Sequence, residues 1–184
     1  MRIIAGKNRS LPLKTPKGMQ TRPTTDRIKE TLFNMISSKI PGGKFLDIFS
    51  GSGAIGLEAV SRGAKKVYFI ENNKEALTCI KENIRFTKSD AESVVFAQDY
   101  LNALRQVESE GCMDIIFMDP PYGMGFEKNV LQYLSESSLC DDDTLIIVEA
   151  DLNTSFDYLE SLGFEINKYK KYKTNAHIFI NKRK

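Results

Sequence analysis

Between residues 44 and 150 the chain alternates short, almost wholly apolar runs with longer stretches of helical periodicity. Strands that are apolar on both sides must be covered on both faces, so this alternation restricts the segment to a parallel sheet between two helical layers. The predicted strands are KFLDIF (44–49), KVYFIE (66–71), SVVFAQD (93–99), DIIFMD (114–119) and TLIIVEA (144–150). The predicted helices are AIGLEAVSRG (54–63), stopped by Gly63, KEALTCIKENI (74–84), YLNALRQVES (100–109), EKNVLQYLSES (127–137) and SFDYLESLG (155–163). FEINKYKKY (164–172) and AHIFIN (176–181) are separated only by KTN and are expected to pair as an antiparallel hairpin. The expectation is an α/β fold with seven strands.

Residues 1–43 read differently, as an extension to a main domain spanning 44–184. RIIAGKNRSLPLKTP suggests a basic two-stranded hairpin, and TRPTTDRIKETLFNMISS a helix capped by Thr24 or Thr25. Its apolar face is Ile28, Leu32, Phe33 and Ile36. The 184 residues suffice for one domain with this appendage. No apolar run approaches the roughly 18 residues needed to cross a bilayer. Cys79, Cys112 and Cys140 are odd in number and far apart, without zinc-ligand spacing, which points to a reducing cytoplasm and no metal.

DIFSGSGAIG sets Gly51, Gly53 and Gly56 between a strand and a helix, with Glu71 twenty residues after Gly51 at the end of the next strand. Strand, glycine turn, helix and a placed acid together indicate an adenosine-bearing cofactor, the acid accepting from ribose hydroxyls. Ser50, Gly51 and Gly53 in the loop and Glu71 with Asn72 after the second strand are the candidate contacts. A nicotinamide dinucleotide would present a pyrophosphate. S-adenosyl-L-methionine presents an amino-acid end and a sulfonium cation. Asp47 before the loop can face an ammonium group, and Asp99 after the third strand an adenine amino group. Acids at three successive strand ends suit the cationic cofactor and would repel a pyrophosphate. A nicotinamide-dependent oxidoreductase is the alternative that the glycine motif alone leaves open.

The fourth strand ends in DPPYG: Asp119, Pro120, Pro121, Tyr122 and Gly123. In a doubly wound sheet this strand lies beside the first, at the crevice where ligands bind. An exocyclic amino group on a base is a poor nucleophile because its lone pair is delocalised into the ring. Acceptors at its two N–H bonds, the Asp119 carboxylate and the Pro120 carbonyl, would draw the nitrogen towards a pyramidal geometry. The prolines fix φ and remove competing donors, and Tyr122 offers a ring for base stacking, worth roughly 1–3 kcal/mol. This chemistry does not separate guanine N2 from adenine N6, cytosine N4 or a glutamine amide. The single histidine, His177, lies in an apolar strand and is read as structural.

Charge is uneven although the net is +2. Residues 1–40 carry nine Lys/Arg against two Asp/Glu, residues 166–184 seven against none, and residues 41–165 ten against 22. Two basic ends around an acidic body suggest a bound polyanion. Lys7, Arg9, Arg22 and Arg27 are candidate phosphate contacts on charge alone.

DIFSGSGAIGLEAVSRGA, FIE and DPPY resemble class I S-adenosylmethionine-dependent methyltransferases that modify exocyclic amino groups. RIIAGKNRSLPLKTPKG, TRPTTDRIKETLFN and the closing YKTN narrow the resemblance, over essentially the whole chain, to the RsmD family. The resemblance implies a Rossmann-like, seven-stranded, mostly parallel sheet with the last strand antiparallel. It implies methylation of guanine N2 in bacterial 16S rRNA, at the family's target nucleotide 966, within the small ribosomal subunit. It further implies that Glu71 binds the ribose, Asp99 the adenine end, and that Asp119 to Tyr122 catalyse transfer. Arg22 and Thr24 would wall the site near the cofactor's amino-acid end. A monomer is expected. The chain departs from the family pattern at Asn8, where a tryptophan is usual, and at Lys173, where a glycine is usual.

Overall fold

A computed structural model describes residues 1–16 and 25–183. One seven-stranded sheet runs in the order β3-β2-β1-β4-β5-β7-β6. Its strands are β1 (Lys44–Ile48), β2 (Lys66–Glu71), β3 (Ser93–Ala97), β4 (Ile115–Met118), β5 (Leu145–Asp151), β6 (Phe164–Lys171) and β7 (Asn175–Lys182). β1 to β5 are parallel, and β7 enters antiparallel between β5 and β6. β1 and β4 are neighbours although β2 and β3 come between them in sequence, so the strand order reverses at this pair.

Among the described residues five α-helices cover the sheet: α1 (Asp26–Met35), α2 (Ala54–Ser61), α3 (Lys74–Thr87), α4 (Tyr100–Val107) and α5 (Phe126–Glu136). Alternating strand residues divide the interior into two cores. Leu46, Ile48, Ile116, Met118 and Val148 pack under α4 and α5. Phe45, Val67, Phe69, Phe117, Ile147 and Phe179 pack under α1, α2 and α3. The extension is built into this second core: Ile3, Leu13, Leu32, Phe33 and Ile36 are all buried in it, and the Phe33 and Phe45 rings stack at 6.4 Å.

α1 starts where Thr25 caps it, the hydroxyl accepting from Ile28 N–H at 3.3 Å; Thr24, the other candidate cap, lies outside the described residues. The expected N-terminal hairpin forms as a short antiparallel ladder: Arg2 bridges Pro12, Ile3 N–H donates to the Leu11 carbonyl at 3.0 Å, Ser10 N–H to the Ile3 carbonyl at 2.9 Å and Leu13 N–H to the Met1 carbonyl at 2.9 Å. Its remaining donors tie it to α2: Glu58 accepts from Ile4 N–H at 2.7 Å and Ala5 N–H at 3.1 Å, and the Ser61 hydroxyl from Asn8 N–H at 3.0 Å. Gly6 is required at the tip, because a Cβ there would meet the Ser61 carbonyl at 1.9 Å.

The helix expected over 155–163 does not form; only a single tight turn, Glu160–Leu162, is helical. Asp151 accepts from Asn153 N–H at 2.9 Å, and Ser155 Oγ from Asp157 N–H at 3.2 Å. Such local side-chain bonds offer the backbone an alternative to a helical ladder. The consequence is that β6, an edge strand, is covered by little: every residue from Glu165 to Tyr169 is exposed.

Candidate active site

The parallel register sets out the site. Ile48, Ile70 and Met118 are aligned across β1, β2 and β4, so Phe49, Glu71 and Asp119 emerge together at the carboxyl edge. Met118 pairs with Val148, and Glu149 pairs with His177. Asp119, Glu149 and His177 therefore form a row across β4, β5 and β7 on the α1 side of the sheet, with Asp47 on that side one strand away.

The glycine loop is held from both sides. Gly51 and Gly53 take φ of 55° and 76°, the left-handed region that favours glycine. A Cβ on Gly51 would meet nothing within 4 Å, so the loop's outer face is open to a ligand. Gly56 has the opposite role, since a Cβ there would lie 2.2 Å from the Phe69 ring; its absence brings α2 onto β2. Glu71 accepts from Gly51 N–H at 2.8 Å, Asn72 N–H at 2.9 Å and Asn73 N–H at 2.8 Å. A carboxylate has about four acceptor positions, so one remains for a ribose hydroxyl. Asn73 caps α3, and Ser50 Oγ donates to the Asp47 carbonyl at 2.6 Å, closing the turn beneath the loop.

Asp47 lies beneath the loop, buried, its Oδ2 accepting from Gly56 N–H at 2.9 Å. Loss of hydration pushes its carboxyl up to about 7, with Glu71 adding repulsion and the Gly56 bond opposing. Asp99 is exposed and caps α4 through Leu101 N–H at 3.0 Å. Asp119 is pushed well above the usual carboxylate range, first by desolvation and then by Glu149 and Asp47. Three acids crowd one end of the sheet, an arrangement that a cation relieves. Pro120 is buried while Pro121, Tyr122 and Gly123 are exposed, Tyr122 at 47%. The Tyr122 phenol is also raised, by partial burial and then by Asp119 and Glu149, with Asn175 opposing the rise. Beside it opens a groove of about 470 Å³ lined by Tyr122, Gly123, Glu127, Asp151 and Asn153.

Sequence reasoning missed two groups here. Phe49, at φ 64°, stacks on Phe126 at 5.7 Å and leans on Tyr100 at 5.2 Å, joining the glycine loop to the starts of α4 and α5. Its position directly before the glycine turn was the available signal. The second group is Glu149, Asn175, His177 and Tyr172. His177 is fully buried, with Nε2 3.0 Å from Glu149 Oε2 and Nδ1 3.3 Å from the Tyr172 hydroxyl. Asn175 donates to Glu149 Oε1. This network backs Asp119 and Tyr122; YKTN supplied Tyr172 and Asn175, but no linear motif joins them to Glu149.

The phosphate candidates separate. Lys7 pairs with Glu92 at 2.5 Å, and Lys7 and Asn8 bond Ser61 at the end of α2, so Lys7 and Arg9 sit at the sheet end opposite the site. Arg27 is exposed in the first turn of α1, beside the Arg2–Asp26 pair and towards the loop end. Arg22 and Thr24 lie outside the described residues.

A glycine loop after β1, acids at the ends of the next strands and a reversed last hairpin define the class I methyltransferase fold. Residues 1–181 match the family described as Conserved hypothetical protein 95, the RsmD family, and the chain belongs to it. It is 38% identical over 154 residues to ribosomal RNA small subunit methyltransferase D of Haemophilus influenzae, covering 82% of this chain and 79% of that one. The solved structure of yhhF from Escherichia coli superposes with TM-score 0.85 at 30% identity, covering 100% and 98% of the two chains. A ribosomal protein L11 methylase from Lactobacillus delbrueckii subsp. bulgaricus shares the fold at 18% identity and TM-score 0.68, over 85% and 80%. Among the described residues no helix is long and apolar enough to cross a membrane, and no cluster of His, Cys, Asp and Glu could hold a metal ion.

Proposed function

We propose that this chain is an rRNA methyltransferase that moves a methyl group from S-adenosylmethionine to the N2 amino group of a guanine in 16S rRNA. The target is nucleotide 966 of the small ribosomal subunit, and the enzyme works as a cytoplasmic monomer. The observation that carries the reading is the position of Asp119 and Pro120 at the strand-order reversal, beside exposed Tyr122. The family relatives named for small-subunit rRNA methylation support the substrate class.

The residues present fit the cofactor. Gly51 leaves an open approach, Glu71 retains an acceptor for a ribose hydroxyl, and Asp47 and Asp119 favour a cation. Bound there, the sulfonium supplies an electrophilic methyl group. A nicotinamide dinucleotide fits poorly: the Gly51 N–H that would meet a pyrophosphate is donated to Glu71, whose charge would repel it. Asp99 meets the adenine amino group, and Asn72 borders the ribose.

Tyr122 stacks the extruded base. The Asp119 carboxylate and Pro120 carbonyl accept the two N2 hydrogens, so the lone pair is directed at the methyl group. The N–C bond forms as the S–C bond breaks, and the displaced proton passes to Asp119 or water. Asp151 and Glu127, acceptors in the adjoining groove, suit the N1–H donor that guanine has and adenine lacks. Catalysis rests on positioning and electrostatics. The test is mass spectrometry of 16S rRNA from cells with and without the gene, with tritiated methyl transfer to unmodified subunits. Loss of one N2-methylguanosine, restored by wild type and not by Asp119→Ala, is expected. Loss of a different modification overturns the assignment.

A further inference from the structure

Residues 166–184 carry seven basic residues and no acid, and the proposed chemistry uses none of them. The fold concentrates four of these on one edge. Lys168, Lys170 and Lys171 lie on β6, and Lys173 in the turn to β7. β6 is the outermost strand, paired only with β7, and the missing helix over 155–163 leaves it open. No ion pair engages any of these four lysines among the described residues. The only acid of the strand, Glu165, lies at its far end.

Register ties this edge to the site. Lys170 pairs with His177, which pairs with Glu149 beside Asp119. The row of residues across β4, β5 and β7 therefore ends at Lys170, about 14 Å from Asp119 at the usual strand spacing of about 4.8 Å. Lys168 pairs with Phe179 and so shares the α1 side with Lys170, while Tyr169 and Lys171 face the other side. The cations thus border the site on both faces of one strand. Tyr169 adds a ring that is 47% exposed and Ile166 a side chain 45% exposed. Edge lysines also deter pairing with a stray strand. One or two serve that purpose; four unpaired lysines with an exposed tyrosine between them match a phosphate backbone with bases to stack.

We propose that the β6 edge, through Lys168, Lys170, Lys171 and Lys173 with Tyr169, is a docking surface for the rRNA strand that flanks the target nucleotide. The proposal deepens the methyltransferase reading and rests on it. The occupant is RNA because the surface is cationic and uncompensated, whereas the groove beside Tyr122 carries Glu127 and Asp151 and would repel phosphates.

The test replaces the four lysines with alanine and, separately, with arginine. Binding of an in vitro 16S rRNA transcript is measured against KCl concentration, together with methyl-transfer kinetics on unmodified small subunits. The alanine variant is expected to bind the transcript about tenfold or more weakly, with a log–log salt slope shallower by about one for each phosphate no longer neutralised. Its KM for subunits rises while kcat and cofactor affinity hold, and the arginine variant recovers. Unchanged transcript affinity and salt slope overturn the proposal. A rise in KM on subunits with unchanged transcript binding also overturns it, in favour of a ribosomal protein as partner. An equal loss on replacing Lys65, Lys81, Arg85 and Lys88, which are exposed on the far side, reduces the effect to bulk charge and overturns it too. Transcript binding needs no methyl transfer, so a wild type that binds RNA yet methylates none would sink the catalytic reading and leave this one standing.

Discussion

Asp47 shows how one residue couples the fold to the ligand. Its carboxyl sits near 7 because burial disfavours charge, so in the free protein it keeps a proton that the unfolded chain loses near 4. With a raised folded value, stability falls as pH rises from about 4 through 7, and the loss is complete above that window. Asp47→Asn keeps an acceptor for Gly56 N–H and should be more stable than wild type above pH 7 but not at pH 4; urea titrations at the two pH values check this. A cation facing Asp47 reverses the preference. S-adenosylmethionine binding should therefore tighten with pH through about 7 and release a proton, read by calorimetry in buffers of different ionisation enthalpy. No proton release would mean that Asp47 does not face the cofactor's charge. Asp119→Ala should bind the cofactor and lose transfer by about 10²- to 10³-fold, the scale of one removed electrostatic interaction. Asn175→Ala should chiefly raise KM for RNA, because Asn175 lies close enough to the stacking Tyr122 to oppose the rise of its phenol; a fall in kcat at unchanged KM would contradict that role.

At the scale of elements, the extension is fastened by one buried carboxylate. Glu58 on α2 accepts from Ile4 and Ala5, from Arg62 at 2.8 Å, and lies 3.4 Å from Lys29 Nζ. Lys29 is itself buried, its ammonium depressed by desolvation against the pull of Glu58, and it donates to the Arg2 carbonyl at 2.6 Å. Glu58→Ala leaves one buried cation and two backbone donors unmatched. It should cost about 3–5 kcal/mol, seen as a lower urea midpoint at unchanged slope. These elements differed in how far sequence revealed them. β1 to β5 and α1 to α5 were legible because burial on both sheet faces imposes apolar runs, and a helix covering one face imposes its own period. The N-terminal hairpin was legible as a pairing, but its anchorage was not, because its remaining donors are taken by Glu58 and Ser61, residues some fifty positions away in the chain. The helix over 155–163 failed because Asp151 and Ser155 satisfy local donors that a helix would have used. In the site, Asp47, Glu71 and Asp119 were readable from strand ends and a glycine turn. Glu149 and His177 were not, since only the antiparallel return of β7 brings them together.

For the whole molecule, one core serves both the extension and the sheet. Ile3, Leu32 and Phe33 are fully buried against Phe45, Ile115 and Phe179. Removing residues 1–43 would expose that face of the sheet, so the shortened chain should aggregate, and full-length protein should unfold in a single step. Coincident transitions by far-ultraviolet circular dichroism and tyrosine fluorescence check this.

The three crowded carboxyl groups at the strand ends have a last consequence, for turnover. Once its methyl group has left, the spent cofactor keeps its ammonium group but has a neutral thioether in place of the sulfonium, so the crowded acids have one positive charge fewer to attract. S-adenosylhomocysteine should be held less firmly than the fresh methyl donor. The gap should widen in alkaline buffer, so that the enzyme discards its exhausted reagent without a dedicated gate.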